Sequence, residues 1–137
     1  MKFARSLLMV AVMAAPSFAS AAPPAAGTPE ESIRESLKLI RDGKLDEWIS
    51  TWCAPEKCTN TPTAIDELKQ FGLARAQKGA PLCLKGSDDS IDVTRVKGDP
   101  GKDTSVTVWI KCEESRLPVP ATVKKVDNKW LVTSFSW

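Results

Sequence analysis

Apolar residues recur at helical spacing in the first half of this chain and at strand spacing in the second. Ile33, Leu37 and Ile40 make one apolar stripe. Thr28 supplies a capping hydroxyl before it, Pro29 suits the first helical position and Glu31 completes a capping box. Gly43, after Arg41-Asp42, is a C-terminal stop. Leu45, Trp48, Ile49 and Trp52 share one face of a second helix. It ends around Cys53-Ala54-Pro55, because proline disfavours helix in the residue before it. Thr61-Pro62 repeats the cap-then-proline signal and opens a third helix through about Gln77. Ile65, Leu68 and Phe71 or Gly72 mark its inner face, and Lys78-Gly79-Ala80-Pro81 ends it.

The period then changes to two. Residues 91–96 alternate weakly, and Gly98 to Lys102 form a turn. From Ser105 the chain alternates well: Val106, Val108, Ile110 and Cys112 face one way, Thr107, Trp109 and Lys111 the other. Val119, Ala121 and Val123 alternate again, with Pro118 and Pro120 pushing that segment towards a sheet edge or a strand start. Asp127-Asn128 fits a tight hairpin turn. In the last strand, Trp130 to Trp137, Leu131, Thr133, Phe135 and Trp137 lie opposite Trp130, Val132, Ser134 and Ser136. Three helices followed by four or five strands with short turns predict an α+β domain, the helices packed on one face of an antiparallel sheet.

This order of elements resembles the NTF2-like (cystatin-like, α+β roll) superfamily, particularly its small secreted members. The likeness rests on two stretches. Residues 33–48 (IRESLKLIRDGKLDEW) look like the family's opening helix, its break at Asp-Gly and the next helix. Residues 123–132 (VKKVDNKWLV) look like its last hairpin, with a tryptophan entering the final strand. The resemblance implies a curved sheet and a cone between helices and sheet. Enzymes of the superfamily commonly place an Asp, His or Tyr inside that cone, while many members only bind. This chain has no His and no Tyr.

The N-terminal segment changes the setting. Lys2 and Arg5 precede an apolar run from Leu7 to Ala15, too short to span a bilayer, and Pro16 breaks it. Ala19-Ser20-Ala21 offers the small residues a signal peptidase accepts, so residues 1–21 read as a secretory signal peptide; cleavage after Ala19 is the runner-up. Residues 22–29 (APPAAGTP) read as a disordered tether, leaving 30–137 as a single domain. The expected location is the periplasm or outside the cell. No later stretch has the length and apolarity of a membrane span, so no stable membrane insertion is expected.

Charge adds an exclusion. The chain has 19 basic and 17 acidic residues, and the signal removes two of the basic ones. The remainder is balanced and evenly mixed along the chain, which argues against a nucleic-acid-binding protein.

Export also changes how the four cysteines are read. Cys53 and Cys58 are a local pair, and Cys83 and Cys112 lie in or near strands. Pairing each with its neighbour is the simplest of three connectivities. The rival, a zinc site of all four, has poor spacing because only one pair is close. No metal and no cofactor are expected. Without His, acid–base chemistry needs a carboxylate or a lysine with a shifted pKa. Asp92, between apolar residues, is the candidate; Asp46, Glu47 and the Asp88-Asp89 pair read as solvated or turn carboxylates. Ser134 and Ser136 have no nucleophile elbow and no His to act as base.

Five tryptophans are many for this length. Trp48 and Trp52 share a helix face, and Trp109 and Trp130 are expected on facing strands. Together with Asp92 they are the candidate ligand-binding residues, lining an apolar cavity; filling the core is the competing role. Trp109, on the more polar strand face, is the one expected to be exposed.

Three functions follow. The first is an exported, disulfide-stabilised binding domain without catalysis. It would take a small apolar molecule in the cone or a protein partner, including a second copy, on the open sheet face. The second is an inhibitor or immunity-type protein acting on an envelope or secreted enzyme. The third is an enzyme using Asp92, which requires that carboxylate to be buried.

Overall fold

The computed structural model describes residues 27–58 and 61–135. The chain is an α+β fold. Helix α1 (Pro29–Arg41) and helix α2 (Leu45–Thr51) are followed by α3 (Pro62–Glu67), which runs through a π-helical turn (Leu68–Leu73) into α4 (Ala74–Cys83). Four strands then form one open antiparallel sheet in sequence order: β1 (Val93–Lys97), β2 (Ser105–Ile110), β3 (Val119–Val126) and β4 (Lys129–Phe135).

The capping chemistry holds at α1. The Thr28 hydroxyl accepts from the Glu31 amide at 3.2 Å, and Pro29 occupies the first turn. Pro29 is itself buried. The ordered domain therefore takes in Thr28 and Pro29, which the sequence assigned to the tether; the signal segment and residues 22–26 lie outside the described residues. After α1 the chain reverses at Gly43, whose φ of +73° is the left-handed conformation a helix stop requires.

Ile33, Leu37 and Ile40 are fully buried against Val106, Val108, Ala121, Val123 and Val132 of the sheet, with Trp48 and Trp130 filling the space between. Two serines also lie on the buried face of α1. Ser32 Oγ donates to the Trp130 carbonyl, tying helix to sheet, whereas the Ser36 hydroxyl has no partner among the described residues.

The third helical segment departs from expectation. Helix continues to Cys83, with Pro81 inside α4. Proline there forfeits only the bond its missing N–H would give to the Gln77 carbonyl, and at the helix end the otherwise unpaired Leu82 carbonyl accepts from the Glu113 amide at 2.8 Å. The inner face also moves. Ile65 and Leu68 are half-buried, Phe71 is 71% exposed, and the buried stripe resumes at Leu73, Ala76, Ala80 and Cys83. The step from Leu68 to Leu73 is one π turn, which advances the stripe by a residue relative to α-helical period.

Both disulfides form as expected. Cys53–Cys58 closes the loop after α2, and Cys83–Cys112 ties the end of α4 to the end of β2. Segment 52–54 runs beside β4: the Val132 amide donates to the Trp52 carbonyl at 2.7 Å, and the Ala54 amide to the Val132 carbonyl at 2.9 Å. The local disulfide thus holds a cover over that edge of the sheet, which would otherwise expose unpaired backbone. Asp127 and Asn128 both have positive φ, 48° and 61°, as the two-residue β3–β4 turn demands.

Each outer strand carries one extra residue. Val93 and Arg95 face Ile110 and Trp109, leaving Thr94 unpaired; Ser134 and Val132 face Thr122 and Val123, leaving Thr133 unpaired. Both are threonines whose hydroxyls donate across the gap, Thr94 to the Trp109 carbonyl at 3.3 Å and Thr133 to the Thr122 carbonyl at 3.1 Å. A bulge resets alternation. Phe135 therefore shares the core face with Val132, contrary to strict alternation, and its ring sits 6.4 Å from that of Trp48. The weak alternation of residues 91–96 has the same cause.

Candidate functional site

The five candidate residues do not converge. Trp48 and Trp130 are core residues, 1% and 3% exposed. Trp52 is half-buried where segment 52–54 meets β4, with the Lys129 ammonium 4.5 Å from its ring centroid. Trp109 is half-buried on the opposite face of the sheet from Trp130, and β3 separates their strands. The expectation that Trp109 and Trp130 oppose each other is corrected by strand order and by alternation. Asp92 is exposed at the start of β1, beside Lys111, whose amide donates to the Asp92 carbonyl at 2.8 Å. Its carboxylate is not the buried acid that catalysis would need.

Among the described residues, buried side chains occupy the region between helices and sheet where the cavity was expected. Trp48, Leu68, Gly72, Leu73, Val132 and Phe135 line a space of about 60 Å³ under the π turn. Small-molecule sites run to roughly 300–1,000 Å³, whereas a single water needs about 10–15 Å³. The space suits ordered water, and one of its lining residues, Trp48, has a buried indole N–H without an acceptor among the described residues.

Two surfaces remain. One is an open groove of about 510 Å³ between α4 and the β2–β3 connection. Its walls mix Leu82, Leu117 and Val119 with Arg75, Lys78, Glu113 and Glu114, and Leu117 is 77% exposed.

The other is the outer face of the sheet. Alternation and register assign it residue by residue: Val106, Val108 and Ile110 are buried on the helix side, so Ser105, Thr107 and Trp109 point away. Across the ladder their rows are Arg95–Trp109–Pro120, Lys97–Thr107–Thr122–Ser134 and Ser105–Lys124–Leu131, with Lys129 beyond. Among the described residues no helix lies on this face; α1 contacts β2, β3 and β4 from the other side. The Arg95 guanidinium lies 4.7 Å from the Trp109 ring centroid, and the Thr107 and Thr122 hydroxyls are 3.0 Å apart.

The strand positions of this face carry charge of one sign. None of the 17 acidic residues falls within any strand, while Arg95, Lys97, Lys124 and Lys129 all take outer positions. Lys124 meets Glu56 at 3.5 Å; Arg95, Lys97 and Lys129 have no ion pair among the described residues. The reading of evenly mixed charge is therefore corrected: linear mixing becomes spatial sorting once the strands align. The signal was present in the sequence as acid-free strands.

On the helix side, Arg41 donates to Asp89 at 2.6 Å and to Asp42 at 2.9 Å. These bonds hold both carboxyls below the usual carboxylate range and raise the guanidinium further. Arg34 donates to the Asp88 and Asp89 carbonyls at 3.3 and 3.0 Å, so the cluster clamps the loop after α4 onto α1. It has the geometry of a structural tie.

Comparison with family models, with curated proteins and with solved structures finds no match for this chain. Among the described residues no three potential metal ligands come together, no cysteine is free, and no helix is long and apolar enough to cross a membrane.

Proposed function

We propose that this chain is an exported, disulfide-stabilised, non-catalytic domain of NTF2-like type that binds a protein partner through the outer face of its sheet. The observation that carries this reading is the contrast between a filled interior and an uncovered sheet face bearing a half-exposed tryptophan under an arginine. Tryptophan and arginine are the residues most enriched among binding hot spots. Helices followed by an antiparallel sheet support the NTF2-like assignment, and two closed disulfides fit the export that residues 1–21 imply. An inhibitor or immunity-type role is the most specific form of this reading, since such a protein acts by surface contact alone.

The sheet face favours a partner of different sequence over a second copy. Two identical basic faces brought together in an isologous dimer would set like charges against each other.

A second reading is favoured by the 510 Å³ groove, whose volume and exposed Leu117 suit a small apolar ligand. Photo-crosslinking in the exporting cell separates the two. A photoreactive residue at Thr107 is expected to give a heteromeric adduct, and the same residue at Asp66 on α3 none. Native mass spectrometry of the purified protein is expected to show no small mass that denaturation releases. A released ligand together with an unlabelled Thr107 would replace the first reading with the second.

A further inference from the structure

We propose that the outer sheet face docks an acidic protein surface, with Arg95 and Trp109 as its central anchor and Lys97, Lys124 and Lys129 as its charged surround. This rests on the reading of that face as a protein-binding surface and adds the chemistry of what it binds.

Three observations carry it. First, the charge is segregated: four cations and no acid occupy the outer strand positions of a chain whose charges otherwise nearly balance. Neighbouring strands lie about 4.8 Å apart and residues rise about 3.3 Å along a strand, so Lys97 and Lys124, two strands and one row apart, sit about 12 Å from each other, about one and a half Debye lengths at physiological salt and about one at 0.1 M or below. Their potentials add. Secondly, three of the four cations have no ion pair among the described residues, so a partner carboxylate need not break an existing one. Thirdly, the cations flank apolar surface. Arg95 already lies on the Trp109 ring at 4.7 Å and Lys129 on the Trp52 ring at 4.5 Å. Each head group is therefore held near the plane of the face, with its donors free for bidentate contact in the case of arginine.

A nucleic acid is the other polyanion such a face suggests. Four cations without a dense run, in a chain with a sequence pI near 8.4, fall short of the charge that sequence-independent phosphate binding uses. One face of each of the Trp109 and Trp52 indoles is moreover already taken by a cation, which leaves less aromatic surface for base stacking.

The test titrates the full mature protein with a synthetic Glu- and Asp-rich peptide, a neutral peptide of equal length and a single-stranded oligonucleotide, read by amide chemical shifts and tryptophan emission. The acidic peptide is expected to shift Arg95, Thr107, Trp109 and Lys124 and to bind about tenfold more weakly when salt is raised from low to about 0.5 M. The Arg95→Glu/Lys97→Glu variant should weaken it by at least about tenfold. Lys38→Glu/Lys44→Glu on the helix side should leave it unchanged. Arg95→Gln/Lys97→Gln repeats the test with a smaller perturbation should charge reversal lower the urea midpoint. The proposal fails if the peptide leaves the sheet face unshifted, if both sheet variants bind it like the parent, if the oligonucleotide displaces it from that face, or if the face is already occupied by a second copy in sedimentation. An unshifted face together with heteromeric crosslinks from Thr107 would remove the acidic partner and leave the docking surface standing. Loss of both would remove both.

Discussion

The Thr133 hydroxyl donates to the Thr122 carbonyl across 3.1 Å, and Thr133 is the residue of β4 that has no counterpart on β3. One side-chain bond thus stands where the ladder loses a backbone one. The extra residue returns Phe135 to the core, 6.4 Å from Trp48. Deleting Thr133 removes the bulge and leaves Ser134 opposite Thr122 and Phe135 opposite Ala121, so the ring stays on the core face and the change should cost no more than about 1 kcal/mol for the lost hydroxyl bond. Thr133→Val keeps the residue count and removes only the hydroxyl, at about 1 kcal/mol. Urea midpoints of the two variants should fall close together, and the near-UV dichroism of Trp48 beside Phe135 should be retained in both; loss of that signal in the deletion would show that the register slips instead.

Ser32 and Ser36 make opposite predictions from one helix face. Ser32→Ala leaves the Trp130 carbonyl without its buried donor and should destabilise by about 1–2 kcal/mol. Ser36→Ala removes a buried hydroxyl with no partner among the described residues and should be neutral or stabilising by up to about 1 kcal/mol. Thermal denaturation of the pair checks the sign of each.

The two disulfides should differ in weight. Replacing Cys83 and Cys112 with alanine opens a loop closed across 29 positions and should cost about 3–4 kcal/mol on the chain-entropy account. The Cys53/Cys58 pair, separated by 5, should cost about 2 kcal/mol. The local pair has a second effect: without it, the cover over β4 loosens, and amide exchange at Val132 should quicken more than at Val108. Urea midpoints and hydrogen exchange measure the two separately.

Asp89 gives the fold an acid-sensitive tie. Its carboxyl is held low by the Arg41 hydrogen bond. The unfolded chain therefore binds a proton more readily than the folded one. The resulting stability is present above the unfolded carboxylate pKa of about 3.9 and is lost as pH falls through the lower folded value. Asp89→Asn, which tolerates the local φ of +51°, should remove that part of the acid dependence while leaving the neutral-pH fold intact. Urea midpoints followed from about pH 5 to pH 2 should fall less steeply in the variant than in the parent.

Local signals in the sequence foretold much of this architecture. The Thr28-Pro29-Glu31 cap, the Asp127-Asn128 turn and the alternation of β2 each depend on neighbouring residues, so their meaning survives without the fold. The disulfide pairing was legible because Cys53 and Cys58 are close in sequence and leave Cys83 and Cys112 to each other. The end of α4 was missed because Pro81 interrupts only its final turn, and the inner face of that helical segment because a π turn leaves no pattern of its own. Trp109 and Trp130 were misplaced as a facing pair because the intervening strand β3 and the register across it are invisible to periodicity.

What the sequence determined by itself is the class of fold, the positions of the caps and turns, and which residues prefer burial. What only the tertiary structure decided is which buried residues share a space and which exposed ones share a face. Trp48 and Trp130 fill the interior that was expected to hold a ligand, because packing depends on volumes brought from distant segments. Arg95, Lys97, Lys124 and Lys129 are scattered among neutral residues along the chain and become one basic surface. Register aligns strands across their hydrogen bonds, so residues far apart in sequence lie a few ångströms apart on the sheet.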